Sequence, residues 1–499
     1  MKMKHNQNTR SLNQPSPAHH RTFRPGAALL GAVATGALLA AQPAHADWDD
    51  HPPRIGDVFV IAMENHNFTQ PNPTNSPQQI LGNPAAPFLN RLVTPGDPNA
   101  AQVSFATAYY NAGVGEHPSE PNYVWAEAGT DFGAHTDADP RAANGNTFYD
   151  QSLHLTALLN AAGVPWKDYQ EDLELTTSPT NSAYGTNGPV NPYNGTTQFN
   201  YAVKHNPMAF FTDTALENVY PLAQLFQDLT NHAVGRYNWI TPDQYNDAHS
   251  PLNGGFTYHG VHYTGDQSSV AAGDNFLAQV VPQIMASPAY QNNGVIIIWW
   301  DESEDGDDTN HTVPEIIISP LAKGNAYAST VPMNHSSDIK TVEEMLHLPF
   351  LNNPIPTNET AVTGGGYNNV AVVNDLSDLF VPGAIPAPAN YAVRGGRFVL
   401  DRRTGHVRQE VRILNAGPAP VPAPLFLVLD NLSANTTLFN AAGATSVLAP
   451  LGSPYVTVPV GRGGRLRPRE VRTVELEFLD PGTSPISYDS RVLSVLPAP

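Results

Sequence analysis

Two uninterrupted apolar runs constrain this 499-residue chain more than any other feature. Val58-Phe-Val-Ile-Ala-Met63 and Gly294-Val-Ile-Ile-Ile-Trp-Trp300 offer no polar position to solvent on either face. They therefore read as strands buried on both sides, as in a sheet sandwiched between helices. Neither run ends in the Gly-rich or Pro-rich punctuation by which a chain ordinarily leaves a core. The first passes directly into Glu64-Asn65-His66 and the second into Asp301-Glu302. Carboxylates at a buried strand exit are costly unless something neutralises them, and a metal ion is the simplest neutraliser.

Around these runs, apolar strand-like segments alternate with amphipathic ones, which predicts an α/β domain. Strands are expected at Val58–Met63, Tyr237–Ile240, Val295–Trp300 and Glu315–Ser319. Helices are expected at Asp150–Ala162, Val219–Asn231, Asp274–Ala286 and Asp338–His347, the last opened by the N-cap chemistry of Ser336-Ser-Asp338. A Pro/Gly/Ala-rich linker follows Val381. From 391 to 499 short alternating segments between Gly, Pro and Asn turns predict a β-sandwich domain: Val407–Leu414, Pro424–Leu429, Pro454–Val460, Val471–Phe478 and Ser487–Leu493.

At the other end, five Lys/Arg precede the apolar stretch Ala27–Ala41 and the small-x-small Ala44-His-Ala46. Residues 1–46 read as an export signal peptide, which predicts a secreted or periplasmic mature chain starting near Asp47 and carrying a catalytic domain over 47–385. A run of fifteen residues is short for a bilayer span, which takes about twenty, so stable membrane insertion is not expected.

The absence of cysteine removes disulfides, thiolate metal sites and cysteine nucleophiles together. Charge is uneven. Residues 391–499 hold twelve Arg, no Lys and eight acids, so of the total −20 about −29 falls on residues 47–390, which contain only eight basic residues. Such a surface repels nucleic acid and anionic membranes, and an anionic substrate would need a local positive focus. The Arg-only basicity of the C-terminal domain suits docking to a surface polymer or to the acidic catalytic domain, or the domain is a structural appendage.

Candidate chemistry gathers where elements end, as ligand sites do at the carboxyl ends of α/β strands. Beside Glu64-Asn65 and Asp301-Glu302 stands Glu116-His-Pro-Ser-Glu-Pro-Asn122, leading into a helix at Tyr123–Ala128. Ser119 at that start is either an N-cap or a hydroxyl placed where unpaired N–H groups favour an anion. Histidines recur at element ends: His117, His249, His259, His262, His311 and His335, the last explained by capping. An EF-hand reading of Asp301, Ser303, Asp305 and Gly306 fails, because Thr312 stands where the bidentate Glu belongs and a strand precedes. Residues 303–309 read as a solvated loop.

The order Glu64-Asn-His, His117-Pro-Ser-Glu-Pro-Asn-Tyr123, Asp247-Ala-His249, Trp300-Asp-Glu302, His311-Thr-Val-Pro314 and His335-Ser-Ser resembles the bacterial phosphoesterase family, of phospholipase C and acid phosphatase type, within the alkaline phosphatase-like superfamily. Gly163-Val-Pro-Trp-Lys-Asp-Tyr-Gln-Glu171 adds to the likeness, which covers about residues 55–380. The resemblance implies an alkaline phosphatase-like α/β/α sandwich with a metal at the strand ends. It implies Glu64 and Asn65 as one metal-binding pair and Asp301 and Glu302 as a second. Ser119 would be the nucleophile, itself a metal ligand, and His249 and His311 would contact the phosphoryl group. His117 is not shared by the phospholipase branch. Glu64-Asn-His-Asn-Phe-Thr69 departs from the Glu-Asn-Arg-Ser-Phe-Asp of those phospholipases, which weighs against a phospholipid substrate.

The residues are chemically consistent with that expectation. A serine hydroxyl is a poor nucleophile until activated, and oxygen ligands suit Mg, Ca or Mn, whereas Zn ordinarily takes more imidazole. The expected function is an exported, metal-dependent phosphoric monoester hydrolase working through a phosphoserine, with activity favoured at mildly acidic pH by histidine titration. Two alternatives stand beside it: a phospholipase C or phosphodiesterase on the same site, and a non-catalytic secreted binding protein.

Overall fold

The computed structural model describes residues 54–70, 79–112, 117–140, 153–303, 311–351, 353, 373–386, 391–417, 420–434, 436–445, 452–461, 463–479 and 485–494. The expected export signal and the acid-rich stretch 304–310 lie outside them. The two apolar runs form strands with the expected bounds, β1 (Val58–Met63) and β6 (Val295–Trp300), every residue buried. They pair in parallel at the centre of an eight-stranded sheet. Its other strands are β2 (Val103–Ala106), β3 (Trp166–Gln170), β4 (Val219–Pro221), β5 (Tyr237–Thr241), β7 (Glu315–Ile318) and β8 (Tyr327–Ser329), in the order β8-β2-β7-β6-β1-β5-β3-β4. Strands β6, β1, β5, β3 and β4 run in parallel, while β7 is antiparallel to both β6 and β2.

Helices cover both faces: α1 (Pro87–Leu92), α2 (Ser119–Ala128), α3 (Leu155–Ala161), α4 (Ala223–Asn231), α5 (Asp266–Met285) and α6 (His335–Leu346). Alternation along β6 assigns the sides. The Trp299 ring meets Tyr123 of α2 at 5.3 Å and His335 of α6 at 4.8 Å between centroids. On the opposite face, Met63 of β1 lies under α5. A Cβ on Gly273 would fall 3.1 Å from Met63 Cε and 3.0 Å from Ala248 Cβ, so only glycine lets this helix sit so close to the sheet.

Several boundaries differ from the sequence reading, each for a local reason. Helix α6 begins at His335, three residues before the expected Asp338, because the Asn334 side chain accepts from the Ser336 N–H and the Asn334 N–H in turn donates to Ser337 Oγ. The expected helix Val219–Asn231 is split: Val219–Pro221 pairs with β3, and the helix starts at Ala223. Helix α5 starts at Asp266, eight residues before the expected Asp274.

The C-terminal region has its own hydrophobic cluster. Val411, Ile413, Val474, Leu476 and Phe478 of a five-stranded sheet face Leu427, Leu429 and Val456 of a four-stranded one, with the buried/exposed alternation of a β-sandwich along Val407–Asn415 and Val471–Leu479. Leu493 packs on the main core, and Ser494 Oγ donates to the carbonyl of His347. Among the described residues no helix is long and apolar enough to cross a membrane.

Because Ile297 is fully buried between the two helical layers, Ile297→Ala should lower unfolding free energy by about 2–5 kcal/mol. A urea denaturation midpoint equal to that of the wild type would contradict two-sided burial of β6.

Candidate active site

Strand register decides what meets at the carboxyl edge of the sheet. Met63 is paired with Trp300, so Glu64 and Asp301 leave adjacent parallel strands side by side, and Glu64, Asp301 and Glu302 are all fully buried. Just beyond Glu64 the backbone turns through Asn65 at φ 48°, a left-handed conformation that Asn tolerates better than most residues, and the Asn65 N–H donates to Asp301 Oδ1 at 3.0 Å.

Ser119 completes the group. It is the first residue of α2, whose N-cap is Pro118 and which has no side-chain cap, so the capping alternative does not hold. Its hydroxyl instead donates to Glu64 Oε2 at 2.9 Å and lies 3.3 Å from Glu302 Oε1. The Asn65 amide abuts the same pair: with nitrogen inward it donates to Glu64 Oε2 at 2.9 Å and to Glu302 Oε1 at 3.2 Å. With oxygen inward it adds a further oxygen to the cluster. His117 Nδ1 bonds Glu302 Oε2, to which Asn122 Nδ2 also points at 3.5 Å. Glu64, Asn65, Ser119, Asp301, Glu302 and His117 are thus brought together.

The far oxygen of Glu64 faces a second set of donors. His205 Nε2 is 3.0 Å from Glu64 Oε1, and His205 Nδ1 is 3.3 Å from Asp247 Oδ2. None of these four atoms makes a well-formed hydrogen bond, although all are buried. Glu64, His205 and Asp247 present ligand atoms within 4.8 Å of one another. The His205 ring stacks on Tyr123 at 4.8 Å, which fixes its plane. Asp247 and His249 flank Ala248, held at φ 81°, while Asp247 Oδ1 accepts from the His249 N–H at 2.8 Å. A non-glycine residue in that region costs about 1–3 kcal/mol and persists where its surroundings enforce it. His249 Nδ1 bonds Ser250 Oγ at 2.8 Å and its ring lies 6.1 Å from that of His205. His311 stands at the same sheet edge, just before β7. His66 turns away, with Nδ1 on the Glu64 carbonyl and Nε2 near Asp266.

Burial dominates the electrostatics. It pushes Glu64 up to about 7, with Lys204 drawing it down and Glu302 pushing it up. Asp301 and Asp247 are driven well above the usual carboxylate range by burial and then by Glu64, and Glu302 is raised by burial against the pull of His117. His205 is held well below its ordinary value by burial, Lys204 and His249. His249 falls to about 4, first through burial and then through Lys204, which moves its titration below the mildly acidic range expected of it. A site of crowded, unpaired carboxylate oxygens with a hydroxyl and an imidazole fits a divalent cation. His205 and Lys204 were not legible as site residues. Their one signal was scarcity of positive charge, since Lys204 is among only eight basic residues in 47–390.

Residues 99–349 match the Phosphoesterase family. The chain belongs to that family. Its members act as hydrolases on phosphoric esters, the class of enzyme to which this chain is assigned. Among its relatives, it is 25% identical over 336 residues to a phosphatidylinositol-3-phosphatase of Mycobacterium tuberculosis, covering 65% of this chain and 91% of the other. It is likewise 25% identical over 307 residues to a probable acid phosphatase of Kluyveromyces lactis, 57% of this chain and 65% of that one, just under two thirds of its length. A solved structure of a protein in the alkaline phosphatase superfamily from Vibrio parahaemolyticus is similar over 72% of this chain and 77% of that one, at TM-score 0.39 and 11% identity.

The raised pKa of Glu64 has a pH signature. The unfolded chain releases this proton near 4.5 and the folded chain only near 7, so the folded state loses stability as pH rises through that window. Chelator-treated protein should melt at progressively lower temperature between those values. Glu64→Gln should flatten part of that slope, and a wild-type slope of opposite sign would refute the assignment.

Proposed function

We propose that this protein is an exported, metal-dependent phosphomonoesterase that uses Ser119 as nucleophile. The observation that carries the reading is the contact of the buried Ser119 hydroxyl with two strand-end carboxylates, Glu64 and Glu302, in a fold of this family. Glu64, Asn65, Ser119, Asp301 and Glu302 would hold a divalent ion, Mg, Ca, Mn or Zn, with His205 and Asp247 supplying further donors on the other side of Glu64. When bound, such an ion neutralises the buried acids and lowers the pKa of the serine hydroxyl.

Ser119 Oγ attacks phosphorus in line with the ester P–O bond, which breaks as the alcohol leaves, and the serine proton passes through the carboxylate it already contacts at 2.9 Å to the leaving oxygen. The Asn65 amide and the edge histidines His249 and His311 stabilise the equatorial oxygens. His249, kept neutral by burial, does so as a hydrogen-bond donor. His117 holds Glu302 in place from the rim. Water then releases phosphate from the phosphoserine. A monoester is favoured over a diester because the relatives carry phosphatase names, one of them a phosphatidylinositol-3-phosphatase. The N-terminal leader supports export, and the Arg-rich C-terminal region suits a surface polymer.

The purified mature chain, supplied with each metal in turn, should hydrolyse p-nitrophenyl phosphate faster than bis-p-nitrophenyl phosphate or phosphatidylcholine. EDTA should abolish turnover, and Ser119→Ala should lower kcat by at least about a thousandfold while the protein stays folded. Preferred cleavage of the diester or the phospholipid would move the assignment to a phosphodiesterase or phospholipase C. No turnover of any of the three would leave the binding-protein reading.

A further inference from the structure

Beside Ser119, two donors converge on a single carboxylate. Asp137 Oδ1 accepts from the backbone N–H of Glu120 at 3.1 Å, and Asp137 Oδ2 accepts from Lys204 Nζ at 3.0 Å. Glu120 is the residue after Ser119. Lys204 is the residue before His205, whose ring is 3.0 Å from Glu64. Asp137 thus joins the residue after Ser119 to the residue before His205, and its charge is felt at Glu302.

The charge distribution gives this contact its meaning. An anionic substrate entering a segment with so large an acidic excess needs a cation at its destination. Of the other described basic side chains of the segment, Arg91 pairs with Asp97, Lys167 with Asp228, Arg236 with Asp57 and Lys323 with Asp378, Lys340 donates to the Val373 carbonyl, and Arg54 is exposed beside Arg236 and His347, before the start of β1 and so at the opposite end of that strand from Glu64. Lys204 differs from them. Its side chain is only 14% exposed, and its charge is felt at Glu64, Asp301, Glu302 and Asp247. Asp137, by contrast, sits on a stretch without helix or strand, and its side chain is 31% exposed. A carboxylate and a phosphoryl group present paired oxygens at similar spacing, so one set of N–H donors serves either.

We propose that Lys204, together with the Glu120 N–H, binds the non-bridging oxygens of the substrate phosphoryl group, and that Asp137 occupies these donors in the ligand-free enzyme as a built-in competitor. The inference rests on the hydrolase reading for its substrate but is testable without turnover. In this arrangement Asp137 sets a threshold that only a more highly charged anion passes.

The test is orthophosphate affinity, measured by calorimetry on the mature chain and on Lys204→Met, Lys204→Arg and Asp137→Asn, with the melting temperature of each recorded. Lys204→Met should weaken orthophosphate binding about tenfold or more, Lys204→Arg should retain most of it, and Asp137→Asn should tighten it severalfold by removing the competing charge. KM for p-nitrophenyl phosphate should move in the same directions. Weaker binding in Asp137→Asn would overturn the proposal, since Asp137 would then merely prop the lysine. So would an affinity that Lys204→Met leaves unchanged, or a wild type that binds no orthophosphate. Ester hydrolysis with unresponsive variants would sink this inference alone. The predicted variant responses in a protein that hydrolyses no ester would sink the hydrolase reading alone.

Discussion

The structure turns on three carboxylates, Glu64, Asp301 and Glu302, placed where almost no water reaches them. Buried like charges repel, and each has lost its hydration, so the native state would discard them unless something nearby repaid the cost. The surroundings are organised around that demand. A backbone N–H from Asn65, a hydroxyl from Ser119, an imidazole from His117 and the charge of Lys204 all address the same acids. Behind them, two strands without a solvent-facing residue anchor the exits, and helices on both faces hold those strands rigid. A deeply buried part of the sheet thus carries its least comfortable groups, an arrangement that a divalent cation could relieve.

Much of this was legible in the sequence because burial on both faces leaves a strong mark. The runs Val58–Met63 and Val295–Trp300 have no polar interruption, so their bounds and the acids at their ends could be read directly. Strand β3 could not be read so. It contains Lys167 and Asp168, the latter fully buried, and its pattern resembles a surface segment until Lys167 is seen paired with Asp228 of α4. Strand β2 is only four residues long, too short for periodicity to speak. At the site, Glu64, Asn65, Ser119, Asp301 and Glu302 stood out because each lies at an element end. His205 and Lys204 were silent because they belong to a short 3-10 turn, Val203–His205, brought in by tertiary packing under Tyr123.

The family match has an informative boundary. It begins at residue 99, so Glu64 and Asn65 lie outside it, whereas Ser119, Asp247, His249, Asp301, Glu302 and His311 lie within. What ties the first pair to the rest is geometry: the parallel pairing of β1 with β6, and the shared contacts of Ser119 with Glu64 and Glu302. The C-terminal sheets lie beyond the match at the other end. Their separate hydrophobic cluster, with exposed Phe398, Val399 and Leu400 at one margin, belongs to a different packing problem from that of the catalytic sheet.

The pairing of Met63 with Trp300 also bears on how such a protein can change over time. Side chains alternate along a strand, so inserting or deleting one residue within β1 or β6 would turn the residue after it to the opposite face and separate Glu64 from Asp301. Point substitutions can accumulate in these strands wherever volume is conserved, but length cannot drift. Variation in chain length must be confined to the connections between strands, and the two central strands are expected to keep constant length even among relatives whose sequences have diverged beyond easy recognition.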